Sequence, residues 1–462
     1  MQAKKSKIVR QKPTSIAKNK LLFKKSKTAI TSKTKILKRK HQKKDNFFNK
    51  FKSSKKKDKK FVRKNVNTIK SLGIKEKILK FFRRDENEKP DKILLILFFF
   101  LAFVGIITVF DTSQIFAQRE FHNQYHFLLL QLLWISLGLV GFCFVYFIDY
   151  RIIRKFILIL YLATIFLLFL TLFASKVNGA SSWLSLGGLT IQPSELAKLT
   201  FVLYISGNLA TKKKWNSTKE FIINDFIPFF LLLMLIVGFV VLGRDLGTSI
   251  IIVSVALFIY LFKSTTRIEY IAFFCLLVFF IVGGAGMIAL ENYRGDRVKI
   301  YSNLLLHDNF GTAQDEKDSG YQMKQVILAL GSGGVFGVGL GESLEKYNFV
   351  ETTPATDSVI AVLAEELGYV GIIVILCIFL LYIYRGFKIS SFTKDRYGQI
   401  VAIGITSWFG MQVFLHIASN VVVTPLTGVP LPFLSYGGSS TISIMVATGI
   451  LLNISKHKDK IS

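Results

Sequence analysis

From residue 93 to residue 455 the chain alternates long apolar runs with short polar breaks. A helix that crosses a bilayer needs about 20 mostly apolar residues. Ten runs meet or approach that length: 93–112, 127–148, 153–174, 194–210, 226–243, 247–263, 268–290, 358–384, 397–418 and 438–455. The fourth and tenth are the least apolar. The pattern predicts an all-α polytopic membrane protein with about ten transmembrane helices. One break, residues 291–357 between helices 7 and 8, is far longer than the others and predicts a large extracytoplasmic loop. Connections of that length are usually functional or disordered. Its stretch 322–340, QMKQVILALGSGGVFGVGL, is apolar and Gly-rich. It reads as a re-entrant or interfacial helix, which is tolerated where protein buries its backbone.

Composition sharpens this picture. Of 462 residues 51% are hydrophobic and 43 are Phe. Apolar residues gathered into unbroken runs exclude a soluble enzyme. The net charge of +31 is concentrated at one end, since residues 1–93 hold 34 Lys and Arg against 7 Asp and Glu. Residues 1–92 therefore form a basic tail that cannot build a compact core. Residues 93–455 form the membrane body, and 456–462 a short C-terminal segment. For the tail two readings stand level: attraction to anionic membrane lipids, or a solvated segment that holds orientation. Nucleic acid is not the expected partner, although Lys runs also suit phosphates. Ile69, Leu72, Ile74, Ile78, Leu79, Phe81 and Phe82 among basic residues suggest a short interfacial helix. Cys143, Cys275 and Cys377 lie in apolar runs, with no disulfide or metal spacing.

Loop charges set the orientation. Arg151, Arg154 and Lys155, then Lys212, Lys213, Lys214 and Lys219, then Lys263 and Arg267, then Arg385, Lys388, Lys394 and Arg396, and finally Lys456, Lys458 and Lys460 all fall on the tail's side if ten helices alternate. The long loop carries 6 basic and 10 acidic residues. The positive-inside rule then makes both termini cytoplasmic and the long loop external.

Four polar clusters lie at or near membrane depth, where ionisable groups are costly and point to function. In NGASSWLSLGGLTIQPSELAK (178–198), Pro193 and Ser194 start a helix. Glu195 falls in the first turn, and Lys198 lies three residues on along the same face, within reach of an ion pair. A structural cap with a snorkelling lysine is the plain alternative. In LGRDLGTS (242–249), Arg244 and Asp245 share a tight turn, either as part of a site or as a hairpin with a local ion pair. The third cluster runs from YRGDR (293–297) through GYQ (320–322) and GSGGVFGVGLGESLEK to TDSVIAVLAEELG. There Asp357 stands where the chain re-enters the membrane, with Ala361, Ala364 and Gly368 making a small face beneath it and Glu365 and Glu366 two turns deeper. A dipole-stabilised acid at a helix N-terminus is the plain reading of Asp357. The fourth, NVVVTPLTGVPLPFLSYGGSS (420–440), contains three prolines that forbid a regular helix. Irregular backbone at that depth must line a cavity or be buried by protein. No nucleotide, protease or hydrolase motif accompanies these clusters.

Together QPSELAK, GYQ…GSGGVFGVGLG…K, TDSVIAVLAEELGYVG and PLTGVPLPFLSYGGSS resemble, in order and over most of 94–455, the SEDS family of shape, elongation, division and sporulation proteins. YRGDR and GYQ lean towards its FtsW branch over RodA. The resemblance implies a bacterial plasma (inner) membrane peptidoglycan glycosyltransferase that polymerises lipid II during cell division or elongation. Its implied partners are a class B penicillin-binding protein and other divisome or elongasome proteins. It places the family's essential aspartate at Asp357, with Ser358 where Phe is usual, and the paired Glu and Lys at Glu195 and Lys198. Asp245 is kept, with Arg244 in place of Pro, and His416 stands where Asn is common. The approach to Asp357 reads VETTPA in place of the family's LPE. On this reading Asp357 is catalytic, and it deprotonates the acceptor hydroxyl or holds a divalent cation, Mg2+ or Mn2+. Lys198, Arg294, Arg297 and Lys346 offset the pyrophosphate charge. Asp245, Gln322, Ser435, Gly437 and Gly438 complete the cavity. A lipid II flippase and a non-catalytic divisome scaffold are the alternatives that the same bundle permits.

Overall fold

The computed structural model describes residues 89–174, 181–186, 189–211, 215, 217–290, 319–348, 354–421, 423–424 and 427–457. Residues 1–88 of the basic tail, with the suggested interfacial helix, and Arg294 and Arg297 lie outside the described residues.

The apolar runs become helices α1 (Lys92–Phe121), α2 (His126–Phe147) and α3 (Tyr150–Thr171), then α4 (Pro193–Leu209). Next come α5 (Thr218–Leu242), α6 (Leu246–Lys263) and α7 (Arg267–Leu290). The long loop contributes α8 (Ser319–Ser332) and two single turns, α9 (Glu345–Asn348) and α10 (Pro354–Asp357). The last three long helices are α11 (Val359–Phe392), α12 (Arg396–Asn420) and α13 (Gly438–Ser455). Among the described residues nine helices are long and apolar enough to cross a membrane. With α4, one residue shorter than the shortest of them, they account for the ten expected runs. The chain is a multi-pass, all-α membrane protein. A two-stranded hairpin, β1 (Leu184–Leu186) and β2 (Leu189–Ile191), precedes α4 and pairs antiparallel with Ser185 opposite Thr190.

Aspartates start the helices. Asp91, Asp149, Asp245 and Asp395 accept from the backbone N–H groups of Leu94, Arg151, Thr248 and Gly398. Each satisfies an otherwise orphaned donor and places a negative charge at the positive end of the helix dipole.

The bundle is graded from centre to rim. α12 and α13 form the centre, with 78% and 89% of their most apolar windows buried, against 11% for α7. That explains why α13 is among the least hydrophobic of the spans: it packs on protein, where small and polar residues serve better than large apolar ones. At Gly438 a Cβ would lie 2.4 Å from the Trp134 ring, so only glycine lets α13 meet α2 there. On α7 the side chains of Ile271, Phe274, Val278 and Phe279 are exposed, as a lipid-facing helix requires.

The small stripe at Ala361, Ala364 and Gly368 turns out to be a packing seam. Ala361 packs with Val326 and Ala329 of α8. The stretch 322–340 is helical only to Ser332 and then becomes a glycine-rich loop laid against α11. α11 itself breaks at Gly368, where φ is 67° and ψ is −171°. The loop and the break are knitted by hydrogen bonds from Val338 and Gly339 N–H to the carbonyls of Glu365 and Glu366, at 3.0 Å each. In return, Tyr369 and Val370 N–H donate to Gly334 and Val335 carbonyls. A Cβ at Gly337 would fall 2.1 Å from the Glu366 carbonyl oxygen, so the sequence must keep glycine where two backbones touch.

Candidate functional site

The prolines of the fourth cluster keep residues 427–436 from forming a helix, so their backbone groups need other partners. α12 supplies one. Gln412, fully buried, donates from Nε2 to the Pro430 carbonyl at 2.9 Å and to Ser440 Oγ at 3.2 Å. Its Oε1 accepts from Trp408 Nε1 at 2.7 Å and from Lys198 Nζ at 3.0 Å. Lys198 also reaches Glu195 Oε1 at 2.7 Å, with both side chains 1% exposed. The pair expected from the i, i+3 spacing is therefore present, and it is built into a hub joining α4, α12, α13 and the proline-rich segment. Its ammonium lies 5.3 Å from the centre of the Trp408 ring.

Asp245 belongs to the same assembly. Its Oδ2 accepts from Gln192 Nε2 at 2.8 Å and Ser194 Oγ at 2.9 Å, while Oδ1 caps α6. The local ion pair with Arg244 that sequence adjacency suggested is absent among the described residues. Arg244 takes φ +64° in the turn, and Asp245 is turned instead to the start of α4. Gln192 N–H donates to Ser439 Oγ at 2.9 Å, which ties β2 to the start of α13.

Asp357 ends the single turn α10 and is partly buried. Three bonds hold this turn in place. Ser435 Oγ donates to the Thr356 carbonyl at 2.7 Å, Tyr436 N–H to Ala355 at 2.7 Å, and Asn420 Nδ2 to Asp357's own carbonyl at 2.8 Å. A Cβ on Gly428 would sit 3.9 Å from Asp357 Oδ2, so the carboxylate borders the proline-rich segment across a residue with no side chain. His416, one turn before Asn420, holds the Val429 carbonyl from Nδ1 at 2.7 Å. That carbonyl can only accept, so Nδ1 carries the proton. His416 Nε2, Asn420 Oδ1 and Glu195 Oε2 are enclosed without a hydrogen-bond partner among the described residues. Enclosed polar atoms left without partners are uncommon in folded proteins and need an explanation, such as a ligand or water.

A second charged centre lies in the loop. Lys346, on α9, donates to Asp111 Oδ1 of α1 at 3.1 Å and to Glu366 Oε1 of α11 at 3.0 Å, with its own side chain 1% exposed. Burial acts to lower the Lys346 pKa, but hydrogen bonds and charges from Glu366 and Asp111 outweigh it and leave it raised, so the lysine stays cationic. Glu365 receives Ser343 Oγ and, at 3.1 Å, Leu344 N–H. Lys346 thus spends its charge on two carboxylates of the fold.

Of the residues singled out in the sequence, Glu195, Lys198, Asp245, Ser435, Gly437 and Gly438 come together around the proline-rich segment that anchors Asp357. Lys346 belongs to the separate ion triad. Gln322 lies on α8. Asp111, Gln412 and Asn420 escaped the sequence reading. Gln412 stands alone among apolar residues, whereas Asp111 opens the polar run 111–114 and Asn420 opens the fourth cluster, and these were the available signals. A hollow of about 690 Å³ lies on the exposed flank of α7 and is lined by Ile271, Phe274, Val278, Phe279 and Val282. It contains none of these polar groups.

Comparisons with known proteins identify the family and support the fold. Residues 91–460 match the family model of the FtsW, RodA and SpoVE cell cycle proteins. The chain is 33% identical over 380 residues to the probable peptidoglycan glycosyltransferase FtsW of Geobacter sp. (strain M18), covering 80% of this chain and 97% of that one. It is 34% identical over 371 residues to the stage V sporulation protein E of Bacillus subtilis (strain 168), with the same shares covered. Among solved structures, it resembles the rod shape determining protein RodA of Thermus thermophilus, with TM-score 0.57, 23% identity and coverage of 80% and 97%. It also resembles a chain from a structure showing the coordination of polymerization and crosslinking by a peptidoglycan synthase complex, with TM-score 0.64, 24% identity and coverage of 80% and 99%. These two likenesses support the fold. The matched span takes in every long helix and both charged centres, and it establishes that this chain belongs to the FtsW/RodA/SpoVE family of cell cycle proteins.

Proposed function

We propose that the protein is a peptidoglycan glycosyltransferase that joins lipid II units into glycan strands. The observation that carries this reading is the placement of Asp357. It is a partly buried carboxylate on a one-turn helix, fixed by Ser435, Tyr436 and Asn420 beside a segment whose backbone is held by buried polar side chains. Family membership and relatives with that name support it. In the reaction an acceptor sugar hydroxyl forms a bond to the donor's anomeric carbon as the bond to the lipid pyrophosphate breaks. Asp357 takes the hydroxyl proton, for which a carboxylate held in a fixed turn is suited. Lys198, through the Glu195 and Gln412 contacts, sets the wall of the site.

A divalent cation fits best as an ion carried with the substrate. Among the described residues no group of three or more His, Cys, Asp or Glu converges to cage a metal. Mg2+ commonly takes one or two carboxylates and completes its shell with phosphate oxygens and water. Asp357 would then be the protein ligand, and the ion would neutralise charge on the departing pyrophosphate.

The loop charges support an inner-membrane protein with both termini cytoplasmic and Asp357 on the outer side. A class B penicillin-binding protein, other division or elongation proteins and, for the basic tail, anionic lipids are the partners this reading names. Asp357→Asn keeps the shape but removes the negative charge and the proton acceptor. The purified protein, supplied with its penicillin-binding partner and labelled lipid II, is expected to form glycan strands, and the Asp357→Asn protein to form none while remaining folded. Wild-type polymerisation by that variant would remove Asp357 from the chemistry. No polymer from wild type, with lipid II crossing liposome bilayers, would favour the flippase.

A further inference from the structure

The glycine-rich loop after α8 has two features that suit immersion in lipid, a backbone partly paired with α11 and outward side chains that are apolar. Inside a bilayer every backbone polar group needs an internal partner, and the outward side chains must be apolar. Between Gly333 and Gly339 the loop makes five backbone hydrogen bonds: Gly337 N–H to Gly333, Val338 to Glu365, Gly339 to Glu366, Tyr369 to Gly334 and Val370 to Val335, at 2.9–3.1 Å. Four of them cross to the broken part of α11. The side chains turned away from that seam are Val335, Phe336, Val338 and Leu340, exposed by 58%, 82%, 47% and 67%. No charged residue occurs from Gly331 to Gly341.

The bonds to Tyr369 and Val370 place this apolar tip directly beside the exposed face of α11, where Tyr369, Val370, Ile373 and Val374 also point outward. α11 is long and apolar enough to cross a membrane, and an exposed apolar face on such a helix suits acyl chains. Loop tip and helix face form one continuous apolar surface. A contiguous exposed patch of large apolar side chains marks a contact with another apolar phase or molecule.

We infer that residues 335–340 dip into the bilayer leaflet on the side of Asp357, with Phe336 and Leu340 among its acyl chains. The loop is then a lipid-embedded brace for the break in α11. Lys346 and Ser343, just after it, return the chain to the polar layer through their bonds to Glu366 and Glu365. This inference is independent of the glycan chemistry.

The test uses the full-length purified chain with Cys143, Cys275 and Cys377 replaced by Ala, reconstituted into bilayers of phosphatidylethanolamine and phosphatidylglycerol. Nitroxide labels are attached singly at Phe336→Cys, Leu340→Cys, Val374→Cys as the lipid-facing reference, and Glu342→Cys as the aqueous one. Collision with oxygen and with a water-soluble nickel chelate is read for each. The 336 and 340 labels are expected to match 374, with high oxygen and low nickel accessibility. Nickel accessibility like that of 342 would place the loop in water and overturn the inference. Immobile labels reached by neither reagent would show that a second copy of the chain covers the loop, which would overturn it equally.

Discussion

Two buried lysines in this molecule are treated differently by their surroundings. Lys198 faces one carboxylate, Glu195, and one neutral amide oxygen, Gln412. Lys346 faces two carboxylates, Asp111 and Glu366. The first centre balances charge and ties helices together through an amide that also holds the proline-rich segment. The second carries an excess carboxylate and closes the chain on itself, since Lys346 and Glu366 lie on either side of Asp357. One centre ties α4 and α12 to the proline-rich segment, and the other ties α9 to α1 and α11. Sequence composition alone makes the two lysines look alike. What separates them is the count of charges gathered from other elements.

The largest expected effect comes from breaking the second centre. Lys346→Met leaves the buried Glu366 and the half-buried Asp111 facing each other, and removal of one partner from a buried pair costs about 3–5 kcal/mol. Thermal unfolding in detergent should show a marked drop in midpoint, with glycan polymerisation lost. The sign of the pH dependence follows from the raised lysine pKa. The wild-type contribution is complete below the ordinary lysine value and disappears only as pH rises through the raised one, so it is intact at neutral pH. Adding Glu366→Gln should recover only part of the loss, because Asp111 remains.

Lys198→Met is expected to cost somewhat less, because one carboxylate is stranded there. The double variant Lys198→Met with Glu195→Gln should recover most of the stability, since both charges leave together. A cycle in which the two substitutions simply add would show that the pair is not coupled. Exchanging the charges is expected to fail. A carboxylate at 198 would face Gln412 Oε1, and turning that amide would forfeit its bonds to Pro430 and Ser440.

A smaller effect separates two glycines of the loop. Gly337→Ala puts a Cβ 2.1 Å from the Glu366 carbonyl at φ +80°, whereas Gly334→Ala at φ +58° meets nothing within 4 Å. The second should lose only the conformational cost, about 1–3 kcal/mol for a non-glycine residue held at positive φ. The first should lose more, and hydrogen exchange at the amides of Val338 and Gly339 should quicken. Equal losses would mean that the seam with α11 contributes little. The smallest effect is that of Asp149→Ala, which removes the cap of α3 at a cost of about 1 kcal/mol. Denaturant titration of the detergent-solubilised protein should resolve it.

Much of the bundle was legible in the sequence. Each apolar run appears as a helix with its ends displaced by a few residues, apart from α1, α5 and α11, which extend further. The reason is that a span needs a length of apolar residues, and length is a property of the chain itself. The Glu195–Lys198 pair was legible for a similar reason, since three residues on one helix fix a distance. Asp245 was not, because its neighbour in sequence, Arg244, is turned away and its partners come from residues 192 and 194. Nor was the role of Lys346 as a shared cation, which depends on Asp111, 235 residues earlier.

The sequence by itself determined the ten helices, the segregation of charge and the motifs that mark the family. Each of these is set by local periodicity or by residues close together in the chain. The tertiary structure decided which polar residues meet. It turned Asp245 to Gln192 and Ser194, gave Lys346 to Glu366 and Asp111, laid the glycine loop on the break in α11 and fixed Asp357 with Ser435 and Asn420. Such choices depend on contacts between distant segments, where burial makes every polar group find a partner and packing alone determines which partner is within reach.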